Sequence, residues 1–308
     1  MTPDVVVAGA ATRDVDAGVP GGWRAGGAVS HAALLLARLG LRVAALVGLD
    51  ETAIDAGEPA DLRAAGVEVV TVTLARGPVF ENVEMPAGRA QICHRLSDPV
   101  PASALPAGWR EAGAFLLAPV AGEIGPEWAP VPGPDALVGL GWQGLLRDLA
   151  AGRPVRHLVP RRGPVQARAD ITVLSREDLT PRGEGTRGGG VEAGDAIRDL
   201  LGRAGSGLAL TAGRDGGVYL RRAADGRLEA RRWRAVQPRR EVDSTGAGDV
   251  FLAALFAARL LLGPGRGDGS RALHFAATAA SLSVEARGLA GVPDLAAIHR
   301  RLREIRTA

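Results

Sequence analysis

Short apolar runs recur along the chain and alternate with stretches of helical apolar spacing. Asp4 to Gly9 is the first run, centred on Val5, Val6 and Val7, and it predicts a short buried strand. Ala28 to Leu39 carries apolar residues at helical spacing and stops at Gly40, a residue suited to a helix C-cap. Leu41 to Gly48 returns to strand, Ala60 to Ala65 to helix and Val67 to Leu74 to strand. Apolar strands interleaved with helices predict a parallel sheet covered on both faces.

The pattern then changes. Val79 to Glu84 and Arg89 to Arg95 alternate apolar and polar residues around Pro86-Ala87-Gly88, which predicts a hairpin. A hairpin inside an α/β alternation predicts a flap outside the main sheet. Strands resume at Ala114 to Ala118, Ala136 to Leu140 and Asp170 to Leu174. Pro126 to Pro134 reads as a short loop, and the glycine- and arginine-rich Gly183 to Gly190 as a mobile one. Leu208 to Ala212, Gly217 to Arg221 and Leu228 to Trp233 are further strands, the last two joined by a turn at Ala224-Asp225-Gly226. Helices over Gly246 to Leu262, Gly269 to Glu285 and Asp294 to Ile305 close the chain. No internal repeat or linker divides the 308 residues, so a single domain is expected.

Composition narrows the classes. The apolar fraction is 46%, enough for a sizeable core, and no apolar run has the length of a membrane span. The N-terminus lacks a signal-peptide pattern and Cys93 is the single cysteine, so a soluble cytoplasmic protein is expected. The sequence pI of about 10.1 suggests a polyanion partner at first sight, yet the formal charge is only +3. The chain has no lysine, and all its strong bases are arginine, whose high pKa lifts the isoelectric point. The arginines are scattered and no aromatic residues interleave them, which argues against a nucleic-acid partner. Without lysine the chain has neither a Walker-type phosphate loop nor a Schiff-base residue. Any phosphate must be held by backbone amides, arginine or a metal.

One stretch has the makings of such a site: Asp243-Ser244-Thr245-Gly246-Ala247-Gly248-Asp249, leading into an apolar helix from Val250. The first turn of a helix offers unpaired N–H groups and the positive end of its dipole. Bare glycines let a phosphate come close to those groups. An acid beside a bound phosphate is unfavourable unless it takes a proton or faces a metal. Asp249 therefore suits a general base that activates a hydroxyl, although a plain first-turn acid is also common.

This stretch resembles the C-terminal signature of the PfkB/ribokinase family of small-molecule kinases. Gly26-Gly27-Ala28-Val29-Ser30-His31-Ala32 is similar to the family's N-terminal Gly-Gly signature. The resemblance spans nearly the whole chain. It implies a three-layer α/β/α sandwich of ribokinase-like type, with a mostly parallel central sheet and a small β flap or lid near residues 13–24 and 76–98. It implies an ATP- and Mg²⁺-dependent kinase acting on a hydroxyl of a small polyol. By that resemblance Asp249 is the base, and the amides of Gly246, Ala247 and Gly248 form the anion hole.

The same resemblance places a nucleotide loop at Thr211-Ala212-Gly213-Arg214-Asp215-Gly216, where Thr211, Gly213, Arg214 and Gly216 would meet the ATP phosphates beside Asp243. As an isolated pattern this loop is also a strand-to-strand turn, and Arg214 a solvated arginine. Asp14 matches the family's sugar-binding aspartate, with Gly26 and Gly27 admitting the substrate. His31 stands where many relatives carry a sugar-contacting asparagine, and helix packing is its alternative. Asn82 on the flap would reach the substrate as the flap closes, with a polar edge-strand face as its alternative, and Gln143, after the strand at 136–140, sits roughly where relatives place an asparagine near the phosphates. Ser175 and Asp178 stand where relatives have N-x-x-E, a motif tied to magnesium, and here they would act through water. Ser175 followed by two acids is also a good helix cap. The small-residue face from Ala276 to Ser283 suits either adenine or tight helix packing.

Aromatic content of 4% leaves little to wall a nucleobase, which favours a sugar or cyclitol over a nucleoside. A catalytically weak, metabolite-binding sensor is the alternative from another class. Neither a membrane nor a nucleic acid is an expected partner; a monomer and a homodimer both fit.

Overall fold

The computed structural model describes residues 2–54, 57–85, 88–179, 200–201, 205–223 and 225–307. The strands run in chain order: β1 Val5–Ala10, β2 Thr12–Val15, β3 Trp23–Gly26, β4 Val43–Asp50, β5 Glu68–Leu74, β6 Val79–Met85, β7 Gly88–Arg95 and β8 Ala114–Leu117. They continue with β9 Leu137–Gly141, β10 Arg147–Asp148, β11 Arg153–Pro154, β12 Arg156–His157, β13 Ile171–Ser175, β14 Gly207–Thr211, β15 Gly217–Arg222 and β16 Leu228–Trp233. The α-helices are α1 Ala28–Arg38, α2 Glu51–Ile54, α3 Glu58–Ala64, α4 Pro164–Arg168, α5 Ala247–Leu262, α6 Ser270–Ser283 and α7 Leu295–Thr307. The loop at 183–190 lies outside the described residues, as does Ala224 of the expected turn.

The central sheet has nine strands in the order β16-β15-β14-β13-β9-β8-β1-β4-β5. Pairing is parallel from β5 across to β14 and antiparallel at β14–β15 and β15–β16. Every residue of β1 and β4 is buried, which accounts for their continuous apolar sequence. One face is covered by α1, α5 and α6, which pack Val29, Leu35, Leu255, Phe256, Leu273 and Ala276 onto the sheet. The other face is covered, among the described residues, by α4 and short 3₁₀ turns. There Trp109, Trp128 and Trp142 supply bulk that a long helix would otherwise provide.

The flap is a separate sheet of five strands, ordered β11-β7-β6-β2-β3. β11 adds residues 153–154 to the segments expected from the sequence, through pairing with Cys93 and Ile92 of β7. Asp50, at the end of β4, ties this sheet to the main one. Its Oδ2 accepts from Arg13 of β2 at 2.8 Å and from Arg95 of β7 at 3.5 Å, and its Oδ1 caps Ala53 N–H at 2.9 Å.

Behind α5 lies a buried charge cluster. Asp268 is fully buried; it accepts from Arg259 at 2.5 Å, from the Gly265 N–H at 2.8 Å and from the Tyr219 hydroxyl at 3.3 Å. It fastens the α5–α6 connection to β15. Asp268→Ala would strand the Arg259 charge inside the protein, and a loss of about 3–5 kcal/mol in urea unfolding is expected. A change below about 1 kcal/mol would mean that the cluster contributes no net stability.

Candidate active site

The candidate residues gather where the parallel strands end, at their carboxyl edge, the usual location of sites in open α/β sheets. β1 leads into Asp14, β9 into Gln143, β13 into Asp178 and β14 into the 211–217 loop. Helix α5 starts against this edge. Gly246 is its N-cap, with φ +81°, in the left-handed region that favours glycine, so the helix proper begins at Ala247. Asp249 falls in the first turn.

Asp249 is half-buried, and burial pushes its carboxyl above the ordinary aspartate value; His31 and Arg147 oppose that rise without cancelling it. His31 is 3% exposed, and its Nδ1 donates to the Gly27 carbonyl at 3.1 Å. Its Nε2 has no protein partner and lies against Gly246, where an added Cβ would come within 2.4 Å of it. Asp14 is raised by burial, with the Thr12 hydroxyl, Arg24 and His31 pulling the other way. Asp14, His31, Asp243 and Asp249 thus share one electrostatic neighbourhood.

Asp243 links the flap to this neighbourhood. Its Oδ1 accepts from the Thr245 N–H at 3.0 Å and its Oδ2 from Arg24 of β3 at 3.1 Å. Burial pushes Asp243 up, but these bonds outweigh it and hold the carboxyl below its ordinary value. Arg24 also pairs with Asp16 at 2.7 Å.

The glycines divide by what uses their bareness. At Gly26 a Cβ would sit 2.6 Å from Asp14 Oδ2 and 2.8 Å from Thr12 Oγ1, so this glycine clears room for the Asp14 carboxylate. Gly216, with φ +87°, is filled from the other side by the backbone of Trp233, so its bareness serves β16. Gly213 and Gly248 face open space, leaving their backbones approachable.

Other candidates have partners within the protein. Thr211 Oγ1 donates to the Leu174 carbonyl at 3.4 Å, and Arg214 pairs with Glu241 on the surface. On the flap, Asn82 Oδ1 accepts from Gln91 at 3.2 Å. Asp178 is deeply buried and accepts from Gln143 Nε2 at 3.1 Å and from the Ser175 N–H at 3.0 Å, with His157 Nδ1 at 3.2 Å. Burial pushes Asp178 up, and the His157, Gln143 and Ser175 contacts bring it below its ordinary value. Ser175 Oγ accepts from the Glu177 N–H at 3.2 Å, a local capping bond. The small residues of 276–283 are largely buried and serve helix packing.

Two residues escaped the sequence reading. Arg147 on β10 lies over the Phe80 ring at 5.2 Å, donates to the Val120 carbonyl at 2.8 Å and to Gln143 Oε1 at 3.1 Å. Its charge acts on Asp178, Asp249, Glu123 and Asp14 together. Among many scattered arginines, nothing in the sequence marks this one except its place four residues after Gln143. Glu123 is buried and accepts from the N–H groups of Ala10, Val120 and Ala121, pinning the loop after β8 to the end of β1. Among the described residues no group of three or more His, Cys, Asp or Glu is placed to hold a metal ion, and no helix is long and apolar enough to cross a membrane.

The arrangement puts the Asp249 carboxyl, the glycine-flanked start of α5 and the charge of Arg147 on one sheet edge. Gly246→Ala tests how tightly it is built. The left-handed φ disfavours alanine by about 1–2 kcal/mol, and the new methyl would collide with the His31 ring. The helix start must then shift, and a fall in turnover of about 10²-fold is expected. Steady-state kinetics beside a melting curve checks this; unchanged turnover would mean that the helix start is not part of the site.

Comparison with known proteins agrees with this fold. Residues 192–295 match the pfkB family carbohydrate kinase domain. Ribokinase from Giardia lamblia superposes with a TM-score of 0.71 at 16% identity, covering 99% of this chain and 100% of that one. Arabidopsis thaliana ribokinase, solved with ribose and ATP, gives 0.69 at 20% identity, covering 98% and 99%. A pyrophosphate-dependent kinase of the ribokinase family, solved with a pyrophosphate analog and myo-inositol, gives 0.66 at 21% identity, covering 92% and 96%. No curated protein sequence matches the chain. The chain has the ribokinase-type fold, and its match to the pfkB family carbohydrate kinase model lies in its C-terminal part.

Proposed function

We propose that the chain is an ATP-dependent kinase that phosphorylates a hydroxyl of a small sugar or cyclitol. The observation that carries this reading is the placement of Asp249: a carboxyl raised by burial, in the first turn of α5, within reach of the electrostatic influence of His31 and Arg147. The acceptor hydroxyl gives its proton to Asp249 as its oxygen attacks the γ-phosphorus. The bond from that phosphorus to the β–γ bridging oxygen breaks, and ADP leaves. The amides of Gly246, Ala247 and Gly248 hold the migrating phosphoryl group. Asp14, in the space cleared by Gly26, accepts hydrogen bonds from the polyol. Gly27, His31 and Asn82 complete its surroundings. Thr211, Gly213, Arg214 and Gly216 form the donor loop beside Asp243. With the flap tied down through Arg24, water is kept from the donor.

Magnesium, when bound with the donor, neutralises phosphate charge. It needs few protein ligands, so the lack of a dedicated ligand cluster among the described residues is compatible with it. Asp178 and Ser175 would reach it through water, since their oxygens already accept protein hydrogen bonds. Gln143 and Arg147 extend that network toward the phosphates.

The sparse aromatics favour a sugar or cyclitol over a nucleoside, and the structural neighbours solved with ribose and with myo-inositol agree. A second donor also has support. A cavity of about 410 Å³ beside the donor loop is lined by Arg176, Arg232, Arg234, Trp233 and the single acid Asp215, a net cationic setting that pyrophosphate would also suit. One experiment addresses these choices: ATP–Mg²⁺ and pyrophosphate–Mg²⁺ are each offered with a panel of sugars, cyclitols and nucleosides, and phosphomonoester formation is followed by ³¹P NMR. Transfer from ATP to a sugar or cyclitol is expected. Transfer only to nucleosides, or only from pyrophosphate, would change the substrate or donor. Binding without transfer from either donor would favour a sensor and overturn the kinase reading.

A further inference from the structure

Arg24 stands between the two halves of the candidate site. On the flap it lies directly across from Asp14 in the β2–β3 pairing. Its Nη1 donates to Asp243 Oδ2 at 3.1 Å, a contact spanning 219 positions of the chain, and its Nε pairs with Asp16 Oδ2 at 2.7 Å. The other Asp243 oxygen, Oδ1, accepts from the Thr245 N–H, one residue before the Gly246 N-cap of α5. The backbone here is fixed separately, since the N–H groups of Val242 and Asp243 both donate to the Val284 carbonyl just past α6. The Asp243 side chain is therefore what passes the position of Arg24 on to the turn at 243–246. That side chain is 10% exposed, so its charge-assisted bond to the guanidinium is shielded from water.

The hairpin that carries Arg24 has few other strand ties. β3 is the outermost flap strand and pairs with β2 alone, while β2 meets β6 at two register positions, Arg13–Val79 and Asp14–Phe80. Asp14 belongs to the same hairpin, so whatever steadies Asp14 also steadies Arg24. Charge points the same way. Asp243 pushes the Asp14 carboxyl up and Arg24 pulls it down, so the guanidinium offsets the repulsion between these two acids.

We propose that Arg24 is a positioning residue that couples the acceptor site to the phosphate site, the roles of Asp14 and of the α5 amides resting on the kinase reading. A polyol bonded to Asp14 steadies the β2–β3 hairpin. Arg24 then holds Asp243, and Asp243 sets the turn whose amides receive the terminal phosphate. Acceptor and donor bind cooperatively, each tightening the other by the same factor.

Isothermal titration of Mg²⁺–AMP-PCP and of Mg²⁺–ADP, each with and without an acceptor probe, tests this; ribose, fructose, glucose and myo-inositol serve as probes. In the wild type at least one probe should tighten AMP-PCP about fivefold or more, while ADP, whose phosphates stop short of the anion hole, changes less than about twofold. Arg24→Met should abolish the tightening, and a melting curve confirms that the variant is folded. Arg24→Lys, which keeps a charge without the planar fork, should restore part of it. Asp16→Asn should keep it, because the bond to Asp243 is untouched. A wild type in which no probe tightens AMP-PCP, or in which ADP is tightened equally, would overturn the proposal. So would tightening that survives Arg24→Met or that is lost equally in Asp16→Asn. Coupling without phosphate transfer by ³¹P NMR would end the kinase reading and leave the Arg24 bridge standing; transfer without coupling would end this proposal alone.

Discussion

Asp249→Asn is expected to lower kcat by about 10²- to 10⁴-fold, the usual cost of losing a positioned general base, while donor affinity changes little. Asparagine keeps the size of the side chain and its place in the first turn of α5, so the amides of the helix start stay where they are. What it cannot do is accept the hydroxyl proton. The pH dependence carries a second signature. Burial places the Asp249 carboxyl above the ordinary aspartate value despite His31 and Arg147. A base must be ionised to work, so kcat/KM should be full above that raised value and fall as pH drops through it. This acidic limb should vanish from the residual activity of Asp249→Asn. Near-normal turnover, or an unchanged limb in the variant, would remove Asp249 from the role.

Arg147→Met is expected to lower kcat by about 10²- to 10³-fold, comparable to removing one preorganised donor for developing charge. Arg147 is the cation whose field reaches Asp14, Asp178, Glu123 and Asp249 together. In a chain without lysine it is well placed to balance the phosphoryl charge. Its stack on Phe80 and its bond to the Val120 carbonyl fix the guanidinium between flap and core. Methionine keeps much of the apolar stem but removes the charge. Arg147→Lys restores a point charge without the planar fork, and recovery of part of kcat is expected. A purely structural role would instead lower the melting temperature of both variants alike, with kcat following stability rather than charge.

Much of the fold was legible because it rests on local rules. The uninterrupted apolar runs of β1 and β4 mark strands buried on both faces, and the alternation of β6 and β7 marks a hairpin with one side toward solvent. The flap was legible only in part. β11 is two residues long, and its pairing with β7 depends on a contact across some sixty positions that no local pattern encodes. The same limit explains the site. Asp249, Gly246 and Asp243 announce themselves through one contiguous stretch. Arg147 and Glu123 owe their standing to what folding places around them: a phenyl ring and several carboxylates for one, the backbone N–H groups of Ala10, Val120 and Ala121 for the other. Gly216 is the converse case, a glycine in a phosphate-loop pattern whose missing side chain is used by Trp233.

A crystal structure with a non-hydrolysable ATP analogue and a phosphorylatable polyol tests the central claim most directly. The account predicts one acceptor hydroxyl within about 2.6–3.2 Å of the Asp249 carboxylate, in line with a terminal phosphate held by the amides of residues 246–248. A terminal phosphate seated away from the start of α5, or an Asp249 carboxylate turned from every acceptor hydroxyl, would contradict it.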